Sequence, residues 1–301
     1  MSVPTDLGPI AISYKRHLPF GDNAGIKDRQ GKHINLTYHE GRYLSPFQPQ
    51  YFEYSRNAEI RPDDILVCGY GKTGCHWVWE TLNMIQKGKG QYSDLGKAAA
   101  FLEFCSPELY NSLPSPRILN THNPFDWLPE KVRTYKNKII FTTRNPKDVA
   151  VSLYNHQINL PEIYNYDGEF ADWFELFLDG KVDCGEYTSY HLEWLQALQE
   201  NPDHPILIIR YEECIQDFPG HIRKIADFIE SPLTEEQLKE IAEAINFKAM
   251  KKHFEAMPMS KLIRKGQVGD WRNWLTSDQS AELDKRSEKL KGTIFEPQFE
   301  V

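Results

Sequence analysis

The first chemistry on offer in this 301-residue chain sits at Gly71-Lys-Thr-Gly-Cys-His76, between the apolar run Ile65-Leu-Val-Cys-Gly-Tyr70 and a helical pattern. A glycine-bearing loop in that setting presents backbone N–H groups and a helix N-terminus to an anion, and Lys72 adds a full positive charge. Phosphate is the natural ligand. The nucleotide-kinase pattern G-x-x-x-x-G-K-[ST] would align Gly71-Lys72-Thr73, but its first glycine then falls on Leu66. The other apolar runs do not end in an Asp placed to hold magnesium. Both failures weigh against a kinase or NTPase. The plain alternative is an ordinary strand-to-helix connection carrying a surface lysine.

Such a loop needs a strand to launch it and a helix to receive it. Val78, Leu82 and Ile85 fall at i, i+4 and i+7, one face of a helix starting near Trp77. Arg117–His122, Lys138–Arg144 and Pro205–Tyr211 carry further uninterrupted apolar runs, as strands buried on both faces do. Helices separate them: Asn145-Pro146 supplies an N-cap and a proline at the first helical position, and Tyr187, His191, Trp194 and Leu198 mark one apolar face. Ile222, Ile225, Ala226 and Ile229 mark another, and Thr234-Glu-Glu-Gln237 is a capping box. Strands alternating with helices predict a single α/β domain with a central parallel sheet flanked by helices. Residues 1–60 lack sustained periodicity and are expected as an irregular arm packed on a domain of residues 61–301.

Four segments then carry a family likeness. Tyr70-Gly-Lys-Thr-Gly-Cys-His-Trp77 resembles the YPKSGTTW phosphosulfate loop of cytosolic sulfotransferases. In the same order follow Pro116–Pro124, similar to PRxxKTHLP, Thr143–Tyr154, similar to the 3′-phosphate motif, and Arg264–Asn273, similar to RKGxxGDWKN. The likeness implies a P-loop nucleotide-kinase-like fold and transfer of a sulfuryl group from 3′-phosphoadenosine 5′-phosphosulfate (PAPS) to a hydroxyl or amine. PAP (adenosine 3′,5′-bisphosphate) is then the product, and no metal is needed.

By that likeness Lys72 stabilises the leaving phosphate, with Thr73 nearby, and His122 is the general base, a role that suits a neutral imidazole with a pKa near ~6.5. Asn120, standing where the motif has lysine, is the third catalytic candidate and removes one cation from the transferring group. Gly74, Cys75 and His76 complete the loop, and Cys75 and His76 replace two threonines whose hydroxyls meet the 5′-phosphate. His76 can still donate a hydrogen bond. Arg144, Ser152, Arg264, Lys265 and the Gly266 backbone are assigned to the 3′-phosphate, and Trp77, Phe247 and Tyr211 to the adenine. Ile245-Asn246 stands where a Thr-Ser pair is common. Phe101 and Phe104 of Phe101-Leu-Glu-Phe104 match a segment lining the acceptor site, with Trp127, Tyr164 and Tyr166 as weaker candidates.

Thirty-five Lys and Arg against 43 Asp and Glu give a net charge of −8, so no broad basic field exists for a nucleic acid. Five cysteines, none in CxxC spacing, read as free thiols in a reducing compartment. The first residues lack a signal-peptide pattern and no run approaches a membrane span, so a cytoplasmic protein acting on a small, aromatic or hydrophobic acceptor is expected. The dimer pattern KxxxTVxxxE is poorly matched at Arg272–Ala281, which leaves a homodimer open. The rival reading is a nucleotide-binding protein that has lost turnover, motivated by Asn120, Cys75 and His76.

Overall fold

A computed structural model describes residues 25–47, 49–255 and 264–299. Its centre is a four-stranded parallel sheet of β5 (Ile65–Gly69), β6 (Ile118–Thr121), β7 (Lys138–Thr143) and β8 (Ile206–Arg210), in the order β6-β5-β7-β8. Four shorter strands precede it: β1 (Ile26–Lys27) pairs with β2 (His33–Ile34), and β3 (Thr37–His39) with β4 (Arg42–Leu44). Helix α1 (Pro49–Arg56) follows. The stretch expected to be irregular thus holds two small hairpins and a helix; their strands are too short for alternation to register. Residues 1–24 of that arm lie outside the described residues.

The apolar runs are continuous because both faces of the sheet are covered. Leu66, Cys68, Leu119, Ile139 and Phe141 enter one core cluster, while Ile65, Val67, Ile118 and Ile140 enter the other. Alternation along the chain therefore sorts residues between two cores rather than between core and water. Burying each large aliphatic side chain is worth about 1.5–3 kcal/mol, and Leu66, Leu119 and Ile139 are wholly buried.

Helix α2 (Cys75–Lys87) begins two residues before the expected Trp77. Helix α3 (Pro146–Ile158) is capped as expected: the Asn145 side chain accepts from the Asp148 amide. Next come α4 (Tyr187–Glu200), α5 (Phe218–Phe228), α6 (Glu235–Ile245) and α7 (Phe247–Phe254). The Thr234/Gln237 capping box opens α6 with both reciprocal bonds made. A second box on Thr276 opens α8 (Ser277–Ser287), so the one threonine kept from the dimer pattern serves as a helix cap. At the opposite end of the strands, Arg117 and Asp64 form a fully buried ion pair at 2.5 Å that ties the start of β6 to that of β5. Arg117 also donates to the carbonyls of Glu59 and Tyr110, so its desolvated charge is well hydrogen-bonded.

Connections from β5 leave in opposite senses: the chain moves to β6 on one side and then crosses to β7 and β8 on the other. In open parallel sheets the crevice beyond the C-terminal strand ends at such a reversal is where ligands bind. The 70–74 loop, His122, Arg144 and Tyr211 each directly follow the end of one of these four strands.

Candidate active site

Between β5 and α2 the backbone turns sharply. Gly69 has φ +149°, and a Cβ there would lie 2.5 Å from the Thr142 carbonyl oxygen, so only glycine fits beside β7. Lys72 takes φ +70°, a conformation that a side-chain-bearing residue adopts only when its surroundings impose it. Burial, with the charges of Lys97 and Arg144, lowers the Lys72 pKa to about 8. Three cations thus act on one another in one small region, with Asp148 3.9 Å from Arg144, an arrangement that favours an anion between them.

Thr73 spends its hydroxyl inward, donating to the Tyr70 carbonyl at 2.7 Å and meeting Thr142 Oγ1 at 2.7 Å. Cys75 Sγ lies 3.0 Å from the same Thr142 hydroxyl. The hydroxyl expected near a leaving phosphate therefore locks the loop to β7. Thr142 carried no signal of its own in the sequence, being one more β-branched residue in an apolar run. His76 is held neutral by burial and by Lys97 and Lys72, with its pKa lowered to about 3; its Nε2 is buried without a hydrogen-bond partner, and its ring stands edge-on to Phe254 at 4.9 Å.

The nucleotide candidates meet in a circuit of contacts. A Cβ on Gly74 would come 3.2 Å from the Tyr211 ring, and that ring stacks under the Arg144 guanidinium at 4.1 Å. Arg144 donates through Nη2 to the Gln267 carbonyl at 3.0 Å. Its neighbour Gly266, at φ +64°, lies so close to Phe247 that a Cβ would sit 2.0 Å from the ring. Two residues before Phe247, the Ile245 carbonyl accepts from Trp77 Nε1 at 3.2 Å, which returns the circuit to the start of α2. Trp77, Tyr211 and Phe247 are each only half-buried. Arg144 Nε is buried with no protein partner, as suits a group reserved for a ligand.

The distant 264–273 segment is fastened by Asp148 on α3, which accepts from the amides of Gly269 at 2.7 Å and Trp271 at 3.0 Å. Arg264 and Lys265 both pair with Asp270, at 2.6 and 2.7 Å. Although burial pushes the Asp270 carboxyl upward, hydrogen bonds from Lys265, Asn273 and Arg264 hold it down to about 2. Ser152 lies on α3, eight residues past Arg144 and partly exposed.

His122 sits just beyond β6. Its Nδ1 is 2.6 Å from the Gly69 carbonyl, which cannot donate, so Nδ1 carries the proton and Nε2 is the free base. Burial, then the Lys97 and Lys72 charges, lower its pKa to about 3 against the help of the Gly69 bond. Phe101 stands edge-on to the imidazole at 5.1 Å. A narrow cleft with room for only about 20 Å³ opens beside the imidazole, lined by Leu44, Phe47, Phe52, Phe101 and Cys184 among others. Phe104 packs at 5.1 Å on Phe47, which brings it to the same wall. Glu103 also lines the cavity; its Oε1 accepts from Thr121 Oγ1 at 2.8 Å and from the His122 amide at 2.5 Å, leaving Oε2 without a partner.

The weaker candidates separate. Tyr166 binds Asp28 at 2.8 Å and Trp127 lies under the guanidinium groups of Arg42 and Arg56; neither lines the cavity. Tyr164 bonds Asp183 Oδ2 at 2.5 Å, behind the lining residue Cys184. Sequence reasoning missed Leu44, Phe47, Phe52 and Cys184, which come from aperiodic stretches, and Lys97, which lies beside Asn120 in a connecting turn. All five cysteines are buried and unpaired, as expected. Among the described residues no helix is long and apolar enough to cross a membrane.

Comparison with known proteins agrees with this geometry. A family model described as a sulfotransferase domain matches residues 62–294. Mouse sulfotransferase 1A1 is 32% identical over 273 residues, covering 83% of this chain and 92% of its own, and human sulfotransferase 6B1 is 32% identical over 281 residues, covering 89% of each. The crystal structure of mouse sulfotransferase SULT7A1 complexed with PAP superposes with a TM-score of 0.74 at 26% identity, covering 86% of this chain and 96% of that one. With a family model spanning most of its length and relatives above 30% identity over nearly all of theirs, the chain belongs to the cytosolic sulfotransferase family of enzymes.

Proposed function

We propose that this sulfotransferase moves the sulfuryl group of PAPS to the hydroxyl or amine of a small aromatic or hydrophobic acceptor. The observation that carries the reading is the His122–Gly69 hydrogen bond, which fixes the tautomer a base needs one strand away from Lys72. His122 Nε2 takes the acceptor's proton as the acceptor oxygen or nitrogen bonds to sulfur and the bond from sulfur to the 5′-phosphate oxygen breaks. Lys72, with the amides at the start of α2, stabilises the charge growing on that oxygen more than the ground state. Arg144, Arg264, Lys265, Ser152 and the Gly266 backbone hold the 3′-phosphate, and Trp77, Tyr211 and Phe247 hold the adenine. Arg144's buried, unpartnered Nε supports the first assignment, and the half-exposed aromatic rings support the second. The rings of Phe47, Phe52 and Phe101 beside His122 suit contact with an acceptor that is apolar apart from one polar group, the rings parting to admit it because the cleft between them holds only about 20 Å³.

A thermal-shift titration compares PAP with 5′-AMP and with ADP, with and without magnesium. At ~100 times its Kd, PAP stabilises the protein by about 2.7 kcal/mol. A shift that needs the 3′-phosphate and survives chelation supports the donor; a shift from ADP with magnesium alone overturns it. Mass spectrometry of mixtures with PAPS and a panel of phenols, alcohols and amines then identifies acceptors by their sulfated products.

A further inference from the structure

Position 120 is where this chain departs most sharply from its family motif, and the structure places a lysine beside it. Residues 97–100 form a 3₁₀ turn, after which Phe101 bridges to Asn120 in parallel and the Leu102 amide donates to the Asn120 carbonyl at 2.9 Å. This segment is a rudimentary extra strand on the edge of β6. It brings Lys97 Nζ to 3.3 Å from Asn120 Oδ1, with the ammonium 5.1 Å from the centre of the Phe101 ring. Phe101 in turn touches the His122 imidazole. Asn120 is wholly buried, and its Nδ2 has no hydrogen-bond partner.

Asn120 lies in β6 and His122 one residue past its end, two positions apart along the chain. A cation resting on Asn120 is therefore a neighbour of the base. Electrostatics agree: Lys97 is the cation that His122 and His76 feel most strongly, ahead of Lys72. Asn120 accepts from Lys97 through its oxygen, and its own N–H group is buried without a protein acceptor. The pair thus presents an ammonium and an amide N–H together, a donor set for the oxygens of an anionic group.

We infer that Lys97, seated on Asn120, binds the sulfuryl oxygens of the donor, supplying from a connecting turn the charge that β6 lacks at position 120. This rests on the PAPS reading above. Lys97 makes and breaks no covalent bond; it neutralises oxygens that PAPS carries and PAP does not.

That difference supplies the test. Calorimetry gives Kd for PAP and PAPS with the wild type, Lys97→Met and Lys97→Met/Asn120→Lys, and rapid quench gives the single-turnover rate with an acceptor found in the screen. Lys97→Met is expected to bind PAP within twofold of wild type, which also shows that it folds, to bind PAPS about tenfold more weakly, and to transfer about a hundredfold more slowly. The double variant is expected to regain at least a tenth of the wild-type rate. Equal PAPS affinity and rate in Lys97→Met would overturn the inference, as would a double variant no faster than the single one. If the wild type bound neither nucleotide, the donor reading itself would fall, a result distinct from either of these.

Discussion

Lys72, Arg144 and Tyr211 follow the ends of three adjacent parallel strands, whereas Leu44, Phe47 and Cys184 reach the cleft beside His122 from a hairpin, a connector and a loop. The side proposed for the nucleotide is held by strand ends, a helix N-terminus and a segment clamped by Asp148. The side proposed for the acceptor is lined by rings, a thiol and a few polar groups from several aperiodic segments, with His122 where the two regions meet. A site built this way can change its acceptor by altering loops while the strand ends keep the donor, which is the usual division between scaffold and specificity.

The boundary residue should give the largest effect. His122→Ala removes the base while leaving the Gly69 turn and the Glu103–His122 amide bond possible, so single-turnover transfer is expected to fall by ~10²–10⁴-fold with PAP affinity within twofold. Near-normal transfer by this variant would remove His122 from the mechanism. A parallel loss of PAP binding would show that the two regions are one.

Two smaller substitutions separate the sides. Gly266→Ala forces a Cβ at φ +64° into the Phe247 ring and should weaken PAP about tenfold, leaving the acceptor KM at saturating donor unchanged. Phe47→Ala removes a ring that packs on Phe101 at 5.9 Å and on Phe104 at 5.1 Å. Loss of one such apolar wall contact should raise the acceptor KM about five- to tenfold and leave PAP affinity alone. Each variant is measured for both constants, and a pair in which both constants move together would contradict the division.

The same division governed what could be read from the residues alone. The sheet was legible because runs such as Ile65–Cys68 and Ile139–Phe141 are apolar throughout; spacing reached the anion loop at Gly71–His76, and the other nucleotide candidates were legible only through the four segments that resemble family motifs. Asn145 and Thr234 announced their helices by cap chemistry. Leu44 and Phe52 lie in elements of three and eight residues and Phe47 in a connector, too short for period 2 or 3.6 to emerge. Lys97 reaches Asn120 only through a turn whose path depends on tertiary packing. Thr73 shows a further limit: its position was legible, but whether its hydroxyl faced ligand or core depended on Thr142, 69 residues away.

The smallest effect tests whether the nucleotide side is the cationic one. With its pKa lowered to about 8 by burial, Lys97 and Arg144, Lys72 loses its charge in the free protein as pH rises through 8. A bound polyanion favours the ammonium and restores the pKa toward its ordinary value near ~10.4. Binding therefore takes up a proton between these values, and PAP affinity falls as pH rises through 8. The carboxyls on the acceptor side, Glu103 raised to about 7 by burial and Asp183 to about 6, are already largely ionised at a higher pH, so they contribute little there. Calorimetry of PAP binding at pH 8.5, in buffers of differing ionisation enthalpy, should show uptake of roughly half a proton or more. Lys72→Met should abolish it. Uptake that instead peaked near pH 7 and survived in Lys72→Met would place the titrating group among the carboxyls and move the electrostatic centre of the site to the acceptor side.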